Sequence, residues 1–309
     1  MMTTKIRFAG VLLTLVMTAP VVLAEVTPQI RSELKAEAGA LHVRLYRAEN
    51  SKEERLLEQG FFDPSGRITE RVLYTEDGEF SRRIRFTYND AGDLSGWESR
   101  DADGQLQWRY VYIYDDDHRV TQEISYDARG NIEGTELYSY DDDQLVEEAA
   151  YTGEGIPQWR RVYEHDEQSG EVKWAVYFED GRLLKQGTKF SNPVGRVVRE
   201  QVRDEVDETF EEVAYSYDAE GRVVRARVND SDGNLSRVHE YEYDDHGNLT
   251  LEKERDIPGD SVDKTRNAYR YDQHGNWTEL VRTETRIDSD GNETIDEVRF
   301  RREIEYHNS

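Results

Sequence analysis

An aromatic residue followed four positions later by glycine recurs along this chain, and that recurrence limits the fold more than any other feature. It reads FDPSG (62–66), YNDAG (88–92), YDAEG (217–221), YDDHG (243–247) and YDQHG (271–275). Degenerate copies keep the phase: Tyr114 and Tyr140 lack the glycine, His165 is followed by Gly170, and Ser191 by Gly195. Successive anchors at 62, 88, 114, 140, 165, 191, 217, 243 and 271 are therefore 25, 26 or 28 residues apart. A second series, Gly78, Gly104, Gly130, Gly155, Gly181, Gly233 and Gly259, keeps the same step, with Asp207 in the missing slot. Both series shorten by one residue between 140 and 155, so they belong to one repeating unit.

Each unit holds two turns. Glycine beside Asp, Asn or Glu is hairpin chemistry, because glycine takes the positive φ that a tight turn needs and short polar side chains bond the nearby backbone. Between turns the residues alternate. In GQLQWRYVYIY (104–114), Leu106, Trp108, Tyr110, Tyr112 and Tyr114 share one face, while Gln105, Gln107 and Arg109 share the other. Two residues after each first-series slot stands an apolar residue: Ile68, Leu94, Val120, Val146, Val172, Val197, Val223, Leu249 and Trp277. That row is expected to form a buried seam, with tyrosine pairs such as 112/114 and 241/243 stacked beside it as cross-strand ladders.

The expected fold is all-β. Sequential antiparallel hairpin repeats, period about 26, give about 18 or 19 strands beginning near Leu41 and forming one long twisted or spiral sheet. Residues 25–40 (from EVTPQIRSELK) are expected to form a short N-terminal helix cap, and 41–309 the repeat domain.

The first 24 residues have the pattern of a secretory signal: Lys5 and Arg7, then an apolar run, then Val22 and Ala24 before a cut at Ala24–Glu25. The expected location is periplasmic or secreted. Cysteine is absent, which excludes disulfide stapling and acylation of a lipoprotein. Removing two cations with the signal leaves a net charge of 38 − 66 = −28, which argues against nucleic acid as a partner. No other segment is long and apolar enough for a helical membrane span.

The motif Y-x-Y-D-x-x-G-[NR]-[LVW], as YSYDAEGRV (215–223), YEYDDHGNL (241–249) and YRYDQHGNW (269–277), resembles the YD repeat of the Rhs family. The resemblance covers nearly all of the mature chain and implies a β-strand spiral, which in large members encloses a C-terminal toxin. This chain is far shorter and shows no cargo segment. It is similar to the small, stand-alone secreted proteins with this repeat.

Catalytic and metal constellations are not evident. DADG (101–104), DSDG (230–233) and DSDGNE (288–293) look like calcium-loop fragments, but Ser99, Val228 and Arg286 occupy the first ligand position. His246 and His274 fill the same turn slot without a third ligand. Sixty-six acids make any carboxylate pair uninformative. No cofactor and no enzymatic activity are expected. Trp108 and Trp159, in one slot two units apart, together with Tyr110 and Tyr112, are candidate ligand-stacking residues, with core packing as the competing role.

The expected function is therefore a non-enzymatic exported repeat scaffold that binds a protein or polysaccharide at the cell envelope. One alternative is an outer-membrane β-barrel, for which the strand count is right while VVREQVR (197–203) and VVRARVN (223–229) put charges at mid-strand. The other is a glycan-processing enzyme or toxin-shell remnant. Ligand and oligomeric state stay open.

Overall fold

The computed structural model describes residues 40–49 and 53–307. The turns come first, because they set everything else. At Asp63 the side-chain Oδ1 accepts from the backbone amides of Ser65 and Arg67, each at 2.9 Å. The Gly66 amide closes onto the Asp63 carbonyl at 2.9 Å, and the Asp63 amide onto the Arg67 carbonyl at 2.9 Å. This is a type I turn followed by a left-handed residue and a bulge. The same aspartate cap recurs at Asp115, Asp127, Asp230, Asp244 and Asp288. Gly130, with φ 82°, shows the left-handed position; His118 at φ 63° and Asp142 at φ 47° are left-handed in the two units that lack the glycine. At the slots of Asp207 and Gly259 the left-handed residue is instead the next one, Glu208 or Asp260.

Twenty strands alternate with these turns among the described residues. They are β1 (Ala40–Glu49), β2 (Arg55–Phe62), β3 (Ile68–Tyr74), β4 (Phe80–Tyr88) and β5 (Leu94–Asp101). Next come β6 (Leu106–Tyr114), β7 (Val120–Tyr126), β8 (Ile132–Asp141), β9 (Gln144–Thr152) and β10 (Pro157–Asp166). Then follow β11 (Glu171–Phe178), β12 (Leu183–Ser191), β13 (Val197–Asp204), β14 (Thr209–Tyr217) and β15 (Val223–Asn229). The last are β16 (Leu235–Tyr243), β17 (Leu249–Asp256), β18 (Ser261–Tyr271), β19 (Trp277–Ile287) and β20 (Glu293–Tyr306).

Each strand pairs antiparallel with its neighbours in sequence, and β1 also pairs with β20 from Ala40↔Tyr306 to Glu49↔Val298. The sheet is thus a closed, 20-stranded up-and-down barrel, which corrects the expected open spiral. An open ribbon this long leaves two unpaired edges, and joining them satisfies both rows of backbone groups. The strand count exceeds the expected 18 or 19 by little, and β1 begins at Ala40 as the phase requires. The helix cap expected over 25–40 lies outside the described residues except for Ala40, which is strand. No helix occurs among the described residues.

Register divides the wall into two faces. Val43, Leu45, Trp97, Tyr110, Tyr112, Tyr138, Tyr163, Trp174, Val213, Val228, Leu280 and Phe300 share one face through successive ladders. On it lie most of the fully buried side chains, including Leu45, Val43, Val228, Ser99 and Glu200. The other face carries Arg83, Arg85, Arg109, Lys173, Arg203, Arg225 and Arg227, all exposed. Side chains converge on the concave side of a curved sheet and diverge on the convex side, so the aromatic face points inward. Backbone approach is confined to ladder neighbours, so the wall is one sheet thick.

The repeating tyrosine has a specific role. The Tyr88 hydroxyl donates to the Ile68 carbonyl at 2.7 Å, Tyr114 to Leu94 at 2.8 Å, Tyr140 to Val120 at 2.9 Å and Tyr243 to Val223 at 2.9 Å. Tyr217 does the same to Val197, and His165 Nε2 reaches the Leu145 carbonyl at 2.8 Å. Each of these six anchors therefore ties its unit to a seam residue one unit earlier; at the Tyr271 slot Tyr269 makes that bond to the Leu249 carbonyl and Tyr271 donates to Asp244. The tyrosines do not stack as the expected ladders. Successive anchors sit two strands apart, and the intervening strand places Glu or Ser opposite, as in Tyr112↔Glu123 and Tyr110↔Ser125. The seam itself is half-buried except at Trp277, and its fourth position is Leu145 rather than Val146.

Candidate functional site

The inner wall from β5 to β11 gathers aromatic rings and carboxylates. Trp97 stacks on Tyr110 with centroids 4.4 Å apart, and its indole Nε1 donates to the Tyr112 hydroxyl at 3.3 Å. Tyr112 faces Glu123, and Glu123 faces Glu136 across the next ladder. The Tyr138 hydroxyl donates to Glu136 Oε2 at 2.9 Å. One strand further, Glu148 accepts from the Tyr163 hydroxyl at 3.0 Å and from Arg161 Nη1 at 3.2 Å. Glu148 is thus neutralised by a guanidinium whose charge also acts on Glu136, while Glu123 faces the Glu136 carboxylate.

All four sequence-predicted stacking residues share this face. Trp108, Tyr110 and Tyr112 stand on β6, and Trp108 retains 36 % exposure with the Arg82 guanidinium 5.9 Å from its ring. Trp159 stands on β10 with the same orientation, opposite Ala150 and Phe178. Its indole Nε1 is buried without a hydrogen-bond partner. Four strand steps separate β6 from β10, about 19 Å along the wall, so Trp108 and Trp159 cannot clamp one small ring. Sequence reasoning missed Glu123, Glu136, Glu148 and Tyr163 beside Trp97. The signal was the two-residue alternation carried across each turn, which places all five on the Tyr110 face.

The rim beside this region is built from the turn caps. His118 Nδ1 meets Asp93 Oδ2 at 2.8 Å. That hydrogen bond holds the Asp93 carboxyl below its ordinary range and raises the His118 imidazole. Asp115 is held low by the Arg119 backbone amide, with further help from the Arg119 guanidinium. Arg119 then lies over the Tyr140 ring at 4.8 Å, as Arg67 does over Tyr88 at 4.8 Å and Arg222 over Tyr243 at 4.7 Å. His246 and His274, considered above as metal ligands, pack instead against Tyr rings, His246 stacked on Tyr271 at 3.9 Å and His274 tilted against Tyr306 at 4.2 Å. No group of three or more metal-ligating side chains occurs among the described residues. Nor is any helix there long and apolar enough to cross a membrane, which says nothing of strands.

The outer face is a belt of opposite charges. Glu70 pairs with Arg83 at 3.0 Å and Arg85 at 3.1 Å, and Arg199 with Glu212 at 3.5 Å. Glu240 lies between Arg225 at 3.8 Å and Lys253 at 3.2 Å, and Arg270 meets Glu279 at 3.1 Å. At the closing ladder Arg44 pairs with Glu305 at 2.7 Å. Pairs this exposed contribute about 0–1 kcal/mol each.

No family model matches the chain, and no curated protein matches it. Among solved structures, a porin-like protein from Bacteroides uniformis is similar at 13% identity and TM-score 0.38, over 86% of this chain and 96% of that one. The TcdB2-TccC3 toxin complex is similar at 15% identity and TM-score 0.33, over 81% of this chain. Only 14% of that complex chain is covered. A Bacteroides fragilis protein of unknown function is similar at 13% identity and TM-score 0.21, over 40% of this chain and 92% of that one. Likeness this faint leaves the reading of the chain to its own geometry.

Proposed function

We propose that this chain is a non-enzymatic β-barrel of the cell envelope, built on the plan of an outer-membrane barrel. Ring closure carries the reading: β1 and β20 pair from Ala40↔Tyr306 to Glu49↔Val298, with one bulge between Ala40 and His42. An even number of antiparallel strands in up-and-down order, closed without an edge, is that plan. Closure favours it over an open scaffold that docks partners along a ribbon. The YD-repeat kinship belongs to this proposal too, since the Tyr–Asp pair is what ties and caps each unit here.

A second reading is favoured by the outer belt. An arginine or lysine facing lipid at mid-membrane costs about 2–4 kcal/mol, and the convex face has cations at mid-strand on β4, β6, β13, β15 and β17. Their ion pairs with Glu70, Glu212 and Glu240 suit a wall wetted on both sides, that is, the same barrel standing in periplasmic water. Fractionation of cells exporting the full chain separates the two. Retention with outer membranes until detergent is added supports the membrane barrel. Release by osmotic shock, with a monodisperse soluble species, supports the aqueous one. An open, edge-pairing polymer would sink both.

A further inference from the structure

A cleft of about 360 Å³ lies on the wall across β10 to β14. Two parallel rows of cross-strand neighbours form its charged-face floor. One row runs Glu164, Lys173, Thr188, Gln201; the other runs Ala175, Gln186, Arg203, Phe210. Lys173 makes no ion pair or hydrogen bond among the described residues, and Arg203 has only the Phe210 ring, 5.8 Å from its guanidinium. Both line this cleft, where Lys173 stands opposite Glu164 and its charge also acts on Asp166. The side-chain amides of Gln186 and Gln201 already donate to Glu205 at 2.8 Å and Glu212 at 2.7 Å. Their carbonyl oxygens remain as acceptors, and Thr188 stands in the first row between Lys173 and Gln201.

We propose that this cleft binds an acidic saccharide, a short sugar chain bearing a carboxylate. Arg203 and Lys173 hold the carboxylate, the arginine through a two-pronged contact. The amide oxygens, Thr188 and Glu164 take the ring hydroxyls, and Phe210 offers an apolar face to a sugar ring. A simple inorganic anion would use the two cations and leave those acceptors facing nothing. The net charge of −26 opposes such a ligand at long range, but at physiological salt that field is screened beyond about 8 Å. The contact is consequently short-range and directional. The proposal rests on the reading in which the charged face meets water.

The test is calorimetric titration of the full mature chain with digalacturonate and trigalacturonate, neutral galacto-oligosaccharides of equal length, and inorganic phosphate. The acidic sugars are expected to bind at least tenfold tighter than the neutral ones or phosphate. Arg203→Gln and Lys173→Gln are each expected to weaken binding about tenfold, the loss of one charge-assisted hydrogen bond. Both positions are exposed, and thermal melting of each variant verifies that the fold is kept. Equal binding of neutral sugars, equal binding of phosphate, no binding by any of them, or unchanged affinity in both folded variants would each overturn the assignment. A chain that stays soluble only in detergent would instead remove the aqueous-barrel reading beneath it, and that outcome is visible before any titration.

Discussion

The Tyr114 hydroxyl donates to the main-chain carbonyl of Leu94 at 2.8 Å, twenty residues earlier in the chain. The bond leaves β6 and lands on the first residue of β5, next to the turn that Asn89 caps. It gives the tyrosine of the repeat a reason to be tyrosine and not simply aromatic. Tyr114→Phe keeps the ring and loses this bond, so it is expected to cost about 1 kcal/mol in urea denaturation. Tyr114→Ala also loses the ring, and about 3 kcal/mol or more is expected. Equal losses for the two variants would mean that the hydroxyl contributes nothing.

Closure makes a sharp prediction because the chain has no cysteine of its own. Ala48 and Arg299 are register partners across β1 and β20. Partners in an antiparallel ladder have Cα atoms about 4.5–5.5 Å apart, within disulfide range. The double variant Ala48→Cys, Arg299→Cys is expected to oxidise within one molecule, running as a faster-migrating monomer without reductant. Disulfide-linked dimers or ladders in its place would mean that the edges meet other molecules.

Two glycines separate backbone strain from crowding. A methyl at Gly130 meets nothing within 4 Å, and its φ of 82° is the whole difficulty. Gly130→Ala is expected to cost about 1–2 kcal/mol. At Gly187 a methyl falls 2.6 Å from the Gln201 carbonyl oxygen and 2.6 Å from the Trp174 ring. Gly187→Ala must therefore displace strand or indole, and a larger loss of stability with a changed tryptophan emission spectrum is expected. Matching melting curves for the two variants would contradict this.

Acid should loosen the rims before it reaches the wall. Asp115 and Asp127 are held below the ordinary carboxylate range, chiefly by the backbone amides of Arg119 and Asn131. A depressed carboxyl contributes stability that is complete above its unfolded value, about 3.9, and is lost as pH falls through the lower folded value. Melting temperature is thus expected to drop between pH 4 and pH 2. His118, raised by Asp93, has the opposite sign: its contribution is complete below about 6.5 and fades as pH rises through the folded value. His118→Gln should flatten the alkaline side of the profile and also weaken the acid limb, because Asp93 loses the partner that holds it low.

The local part of this structure was legible in the sequence. Asp127 and Gly130 announce a capped, left-handed turn, and the alternation through 104–114 puts Trp108, Tyr110 and Tyr112 on one face, as found. What was not legible depends on pairs far apart in the chain. Joining of Ala40 to Tyr306 is a match between the outermost strands, and no period within a single unit records it. The tyrosine ladders failed for a related reason: the phase fixes which face a ring occupies, while the strand between decides what it touches. Glu123 and Glu136 were lost among the many other acids until register placed them side by side.

Tyr306 on β20 donates its hydroxyl to the turn-capping carboxylate of Asp272, as Tyr271 does to Asp244, so a tyrosine fastening reaches the strand that closes the ring. A linear stack of repeats comes undone from its outer members, which have a neighbour on one side only. A ring has no outer member. Its units should consequently melt together, and proteolytic nicks at single loops should be tolerated, each leaving a once-cut hoop still held by its ladders.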